Sequence, residues 1–242
     1  MAVTTRVRVL GCPVDVVDMG AAVQRLVDLC EATAPAQPAV VVTLNPEILM
    51  RARREPDFRD LLEAAALIVP DGIGLVRALH RRGYRHAVRV GGADLLEAYL
   101  PHAQRLRHRV ALVGAGPGVA ERAARVLERS FPGVDLVADG GDPTRETAQR
   151  VARTAPAFVA AAYGAGRQER FLRDHLGTMR GRVGVGVGGT LDYLAGTARR
   201  APAPVRRAGL EWLWRLLREP SRWRRQLVLP QFWWLERREA RR

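Results

Sequence analysis

Seven short apolar runs, each separated from the next by a longer amphipathic stretch, fix the architecture open to this chain. The runs cover residues 7–10, 39–43, 66–69, 110–113, 134–137, 158–162 and 183–187. Runs this short read as buried strands. The stretches between them carry helical spacing, as in Val119, Ala123, Val126 and Leu127, or Leu95, Leu96, Tyr99 and Leu100. Such alternation predicts an α/β fold with a Rossmann-like, mostly parallel sheet flanked by helices. Five strand ends run into Gly, Asn or Asp: Leu44-Asn45, Pro70-Asp71-Gly72, Gly114-Ala115-Gly116-Pro117-Gly118, Tyr163-Gly164 and Gly188-Gly189. Ligands of open α/β sheets bind beyond the carboxyl ends of the strands, so chemistry is expected at these turns.

The sheet pattern stops near Gly196, and Ala201-Pro202-Ala203-Pro204 reads as a stiff connector. Two units follow from this, an α/β domain over 1–198 and a helical appendage over 199–242. In the appendage Leu210, Leu213, Trp214 and Leu217 share one helical face, and Pro220 and Pro230 interrupt the helical pattern. All five tryptophans of the chain lie in its last 31 residues. From Arg199 onward there are 13 Arg against four Glu, a net of +9 out of +14 for the 242 residues. A tail of this composition is suited to an anionic surface, either nucleic-acid phosphates or membrane headgroups. No run of about 18 apolar residues occurs, and the first ten residues alternate Arg with Val instead of forming a signal peptide, so any membrane contact is expected to be peripheral. The two cysteines, Cys12 and Cys30, set no disulfide framework and fit a reducing cytoplasm.

Single motifs are ambiguous. The stretch 114–118 follows a strand and opens a helix, where free amides can hold a phosphate, yet position 119 is Val and the dinucleotide fingerprint is incomplete. Asp71 is either a general base or the cap of a helix starting near Ile73. Thr43 and Asn45 are either cap residues or polar groups aimed into a site. No D-x-D occurs, which argues against a metal-held nucleotide sugar; arginines and helix N-termini would then have to balance a diphosphate. The five histidines, His80, His86, His102, His108 and His175, lie in Arg-rich, exposed-looking segments without ligand spacing and read as structural or surface residues.

The order of the motifs is more specific than any one of them. Thr43-x-Asn45-Pro46-Glu47, Pro70-Asp71-Gly72-x-Gly74, Arg89-Val90-Gly91-Gly92-Ala93-Asp94-Leu95, the 114–118 loop, Phe131-Pro132-Gly133, Gly164-x-Gly166-Arg167-Gln168-Glu169, Val187-Gly188-Gly189-x-x-Asp192, Arg200-Ala201-Pro202 and Gly209-Leu210-Glu211-Trp212 follow one another. In that order they resemble the bacterial WecG/TagA/CpsF glycosyltransferases over roughly residues 8 to 234. The resemblance implies a peripheral enzyme at the inner face of the cell membrane. Such an enzyme inverts the anomeric centre without metal or cofactor, moving N-acetylmannosamine or a related sugar from UDP to a polyprenyl-diphosphate-linked N-acetylglucosamine for teichoic acid or another surface polysaccharide. It implies Asp71 as the base on the acceptor hydroxyl. For substrate binding it implies Thr43, Asn45, Arg89, Gly114, Gly116, Gln168, Glu169, Asp192, and Arg215, Arg222 and Arg225 of the tail. The expected partners are the UDP-sugar, the lipid-linked acceptor and an anionic membrane surface, with no nucleic acid; a homo-oligomer is compatible with the sequence.

Three departures bear on donor and acceptor identity more than on reaction class. Gly166-Arg167 replaces Pro-Lys, Asp139-Gly140-Gly141-Asp142 replaces an aromatic turn, and Pro204 stands where an aromatic commonly follows R-A-P. Two other classes stay open on the residues alone. A nucleic-acid-binding module explains the charge but not the polar strand ends, and a nucleotide-dependent oxidoreductase is weakened by Val119.

Overall fold

In the computed structural model the described residues are 5–32, 38–218, 220, 223 and 227–240, the side chains of Arg207 and Arg215 excepted. Six parallel strands form the sheet in the order β4-β3-β8-β7-β5-β6, where β3 is Ala39–Leu44, β4 Leu67–Pro70, β5 Val110–Gly114, β6 Leu136–Asp139, β7 Phe158–Ala162 and β8 Val183–Gly186. β5, β7 and β8 are buried at every residue, as a parallel sheet covered on both faces requires. The predicted α/β class is the observed one, and six of the seven apolar runs are strands of this sheet.

Two expectations are corrected in detail. The 7–10 run belongs to β1 (Thr5–Val9), which pairs antiparallel with β2 (Cys12–Val16) in a separate two-stranded hairpin. Pro13 and Asp15 disguise β2 as a loop, yet Asp15 has a structural task. It is 3 % exposed, takes two hydrogen bonds from Arg6, and accepts the Ile68 N–H at 2.7 Å. A carboxylate thus occupies a donor on the open edge of β4, which would otherwise be a pairing hazard. The run expected at 134–137 begins as a strand at Leu136, because Val134 closes the preceding turn by donating to Phe131 O and packs into the core from there.

On one face of the sheet lie α1 (Met19–Glu31), α5 (Gly92–Leu106), α6 (Val119–Ser130) and α9 (Thr190–Leu194). On the other lie α2 (Pro46–Ala52), α3 (Pro56–Ala64) and α4 (Ile73–Arg81) with the hairpin, continued by α7 (Arg145–Ala152) and α8 (Arg167–His175). After Gly196 come α10 (Ala203–Arg207), α11 (Glu211–Arg218) and α12 (Val228–Glu239). α12 is joined to the α/β core. Phe232 is fully buried in the same cluster as Ile48, Leu49, Leu75 and Leu79, and Glu236, also fully buried, receives Arg81 at the end of α4 and Arg82, its C-cap. Leu10 N in the hairpin turn donates to Glu239 at 2.8 Å. Other side chains of the tail are open to solvent: Leu210, Leu217, Trp223, Leu227, Trp233 and Trp234 are all exposed.

His108 differs from its expectation. It is buried, stacked on Tyr99, with Nδ1 2.7 Å from the Tyr99 hydroxyl and Nε2 2.5 Å from Glu31. It ties α1, α5 and the start of β5 together, a structural role in a buried setting.

Candidate active site

The carboxyl ends of β3, β4, β7 and β8 open into one polar cleft, with about 720 Å3 of empty space counting the open solvent at its mouth. Its lining draws on seven of the quoted motifs, five of them in the α/β sheet region: Thr43, Asn45 and Glu47; Asp71; Arg89 with 91–94; Gly164, Ala165 and Gln168; and Val187 to Thr190 with Tyr193. Arg200 and Glu211 arrive from beyond the sheet. Residues separated by up to 168 positions therefore meet because each ends a neighbouring strand or opens the next helix.

Asp71 is not a helix cap. The N-cap position of α4 is held by Gly72, with φ of +90°. The Asp71 carboxylate stands one residue earlier and accepts from Arg89 Nη1 at 3.3 Å. Its backbone N–H donates to Leu44 O at 2.7 Å, which locks the turn to β3. The cap reading does hold for Asn45, whose Oδ1 accepts Ile48 N at 3.0 Å, so that a ligand meets its amide NH2 group. Thr43 is buried and its hydroxyl donates to Gly186 O at 3.0 Å, bridging β3 and β8.

Gln168 and Glu169 form the floor. Gln168 Oε1 accepts Gly188 N at 3.0 Å, and Nε2 donates to Glu169 Oε1 at 2.8 Å. Glu169 Oε2 accepts Gly166 N at 2.6 Å, and the residue is fully buried. Burial pushes the Glu169 carboxyl above its ordinary value, against the opposing hydrogen bonds from Gln168 and Gly166. These bonds fix the turns after β7 and β8 relative to each other. Position 186 has to be Gly for this, since a Cβ there would stand 2.5 Å from Gln168 Nε2. Gln168 lines the cleft, whereas Glu169 lies behind it and acts through Gln168 and Gly166.

Arg89 is the electrostatic centre. Nη1 lies 3.3 Å from Asp71 and 3.1 Å from Glu211, and Nη2 lies 2.5 Å from Asp94. Burial opposes its charge, but the fields of Asp71, Glu211 and Asp94 outweigh it and raise the guanidinium pKa. Asp94 also receives Arg200 at 2.5 Å and Arg206 at 3.4 Å. The first turn of α5 forms part of the wall, and its N-cap residue, Gly91, has no side chain to cap it. Amides at a helix start of this kind suit an anionic ligand.

Some expected residues lie elsewhere. Gly114 ends β5 and Gly116 lies in the loop after it, both outside the cleft lining, and Gly114 is covered by the Tyr163 ring. Asp192 sits on α9 just outside the lining, where its carboxylate accepts from Thr197 Oγ1 at 3.3 Å. The side chain of Arg215, and Arg222 and Arg225 altogether, lie outside the described residues. Glu211, Asp94, Arg200 and Arg206 were not singled out as site residues from sequence. Three of the four stand inside quoted motif blocks, and the signal that they belong together was that three separate blocks each carried an unexplained charge. Among the described residues no group of three or more His, Cys, Asp or Glu side chains is placed to hold a metal ion.

The sequence matches the model of the Glycosyl transferase WecG/TagA/CpsF family over residues 7–242. It is 36 % identical over 197 residues to a Bacillus spizizenii protein named N-acetylglucosaminyldiphosphoundecaprenol N-acetyl-beta-D-mannosaminyltransferase, covering 80 % of this chain and 77 % of that one. Proteins of the same name from Bacillus subtilis and Staphylococcus aureus are each 32 % identical, over 197 and 195 residues, with 80 % and 79 % of this chain and 77 % of each relative covered. With a match of that extent, and seven of its nine motif blocks contributing to one cleft, the chain belongs to the WecG/TagA/CpsF family of glycosyltransferases.

Proposed function

We propose that the protein transfers N-acetylmannosamine, or a related sugar, from a UDP donor to N-acetylglucosamine carried on a polyprenyl diphosphate. Transfer inverts the anomeric carbon and uses no divalent metal. The observation that carries this reading is Asp71, a carboxylate held at the cleft by Arg89 and the turn after β4, in a chain whose relatives are named for such a transfer. The acceptor hydroxyl gives its proton to Asp71 as its oxygen attacks C1 of the donor sugar; the C1–O bond to the diphosphate breaks, and UDP leaves with the electron pair.

The leaving diphosphate needs positive charge that the described lining does not supply by side chains alone. Glu47, Asp71, Asp94 and Glu211 outnumber Arg89 and Arg200 there. The amides at the α5 N-terminus provide part of the balance, and Arg215, Arg222 and Arg225 of the tail the rest. Thr43, Asn45 and Gln168 then hold polar groups of the donor, with Glu169 fixing Gln168. Gly114, Gly116 and Asp192 shape the neighbouring rim. The 199–242 segment serves as a docking appendage on the cytoplasmic membrane face. Among the described residues no helix is long and apolar enough to cross a membrane. The absence of D-x-D supports a metal-free reaction, and activity should survive chelation by EDTA.

Asp71→Asn tests the base. Turnover should fall by about 10² to 10⁴ with UDP binding retained, the usual worth of a general base. An unchanged rate of UDP release removes Asp71 from that role.

A further inference from the structure

A second cleft opens on the other side of Asp71. It holds about 950 Å3 of open space and shares Asn45, Glu47, Asp71, Arg89 and Glu211 with the first. Away from that shared wall its lining turns apolar, with Ile73 at the start of α4, Trp212 on α11, and Val228, Leu229 and Trp233 on α12. The three elements meet closely here. A Cβ at Gly74 would lie 3.2 Å from Phe232 Cε1 and 3.6 Å from Trp233 Nε1, and one at Gly209 would lie 2.8 Å from Ile73 Cβ. The cleft is therefore a crease between packed elements, charged at one end and apolar at the other.

We propose that this crease seats the first isoprene units of the acceptor's polyprenyl chain, with the diphosphate toward Arg89 and Arg206 and the sugar hydroxyl at Asp71. The inference rests on the reading of the acceptor given above and adds where its lipid lies. In a single displacement the acceptor hydroxyl must lie at the base and the donor C1 within reach of that hydroxyl oxygen, so the two substrates meet beside Asp71, one of the few residues lining both clefts. The first cleft is polar and walled by strand-end turns and a helix N-terminus, which suits a nucleotide sugar. The second matches an amphiphile: its polar end carries Arg89 and Arg206 beside Glu47, Asp71 and Glu211, so a diphosphate there draws on the tail arginines as in the first cleft, and its apolar end is built from aliphatic and indole side chains. Leu227 and Trp234, next in sequence to the lining residues Val228 and Trp233, are exposed apolar side chains of the same tail.

The test compares two acceptors, N-acetylglucosamine diphosphate esterified with methyl or with farnesyl, in dilute detergent without vesicles, so that membrane attachment does not enter. The wild-type protein should use the farnesyl acceptor with kcat/KM about tenfold to a hundredfold higher, the size expected from burying a few methylene-equivalents. Ile73→Ser and, separately, Trp212→Ala should cut that ratio severalfold, chiefly through KM for the farnesyl acceptor. A farnesyl diphosphate bearing a benzophenone should cross-link to residues 73, 212, 228, 229 or 233 in the unmodified protein, a readout that needs no variant to fold. Equal use of both acceptors by wild type, a full farnesyl preference in both folded variants, or cross-links confined to other surfaces overturns the inference while leaving the transferase reading standing. Transfer to neither acceptor by folded wild-type protein overturns the underlying reading, and the inference with it.

Discussion

Arg89 shows how one side chain organises this site. Its planar fork serves three carboxylates from three elements at once, a geometry that a lysine ammonium, as a point charge, does not reproduce. Arg89→Lys is therefore expected to retain the fold but to lower kcat by about 10-fold or more, because Asp71 and Glu211 lose their common partner. Steady-state kinetics with a thermal-unfolding control checks this. Glu169 allows a separate pH test. Its folded-state pKa is raised by burial, so the stability it contributes is fully present below the ordinary Glu value and is lost as pH rises through the raised value. The melting temperature of wild type relative to Glu169→Gln should accordingly rise between pH 7.5 and pH 5, a comparison in which general acid effects cancel. The thiols of Cys12 and Cys30 are both buried and pushed up to about 11 by that burial, so each should react with a thiol reagent only as the protein unfolds.

At the level of elements, what was legible in the sequence depended on whether a residue's partner lay in the same element. β3 to β5, β7 and β8 could be read because a strand buried on both faces is apolar throughout, and its Gly, Asn or Asp end marks where it stops. β2 was hidden because Pro13 and Asp15 make sense only beside Arg6 and the β4 edge, 53 residues away at Ile68. The same limit applied to the site. Asp71, Thr43 and Asn45 at strand ends and Gln168 at the start of α8 were visible, whereas Glu211, Arg200 and Arg206 acquire meaning only when the tail folds back to Arg89 and Asp94. Asn45 could not be assigned to cap or site from spacing because it serves the cap while lining the cleft.

α12 carries the sharpest consequence at this scale. Composition marks 199–242 as an appendage, yet Phe232 and Glu236 are buried among core residues. Phe232→Ala should destabilise the whole protein by about 3–5 kcal/mol, the usual cost of removing a fully buried Phe. Trp234→Ala, two residues on but 59 % exposed, should change stability by no more than about 0.5 kcal/mol. Urea unfolding of both variants settles the comparison. Equal effects would mean that α12 does not dock as described.

For the molecule as a whole, the docking of α12 changes how membrane attachment has to be tested. Deleting 209–242 would remove Glu211 from Arg89 and Phe232 from the core together, so loss of activity after that deletion would not report on lipid binding. The exposed apolar side chains offer a cleaner route. Leu217 on α11, Leu227 at the N-cap of α12 and Trp234 on α12 are each more than half exposed, in a tail with a net charge of +9. Each Arg near an anionic bilayer contributes about 1 kcal/mol, and added salt screens that attraction over roughly 10 Å. Attachment through such a surface is reversible and has two separable parts, one electrostatic and one apolar. Vesicles containing anionic lipid should bind the wild-type protein, and raising salt from 0.1 M to 0.5 M should release most of it. The triple variant Leu217→Ser, Leu227→Ser, Trp234→Ser should bind at least about tenfold more weakly at low salt, since burying each of these side chains is worth about 1–2 kcal/mol. Its melting temperature should stay close to wild type, because none of the three belongs to the buried core. Vesicle sedimentation at two salt concentrations measures both effects, and a variant that binds as tightly as wild type would place the lipid-facing surface on some other part of the molecule.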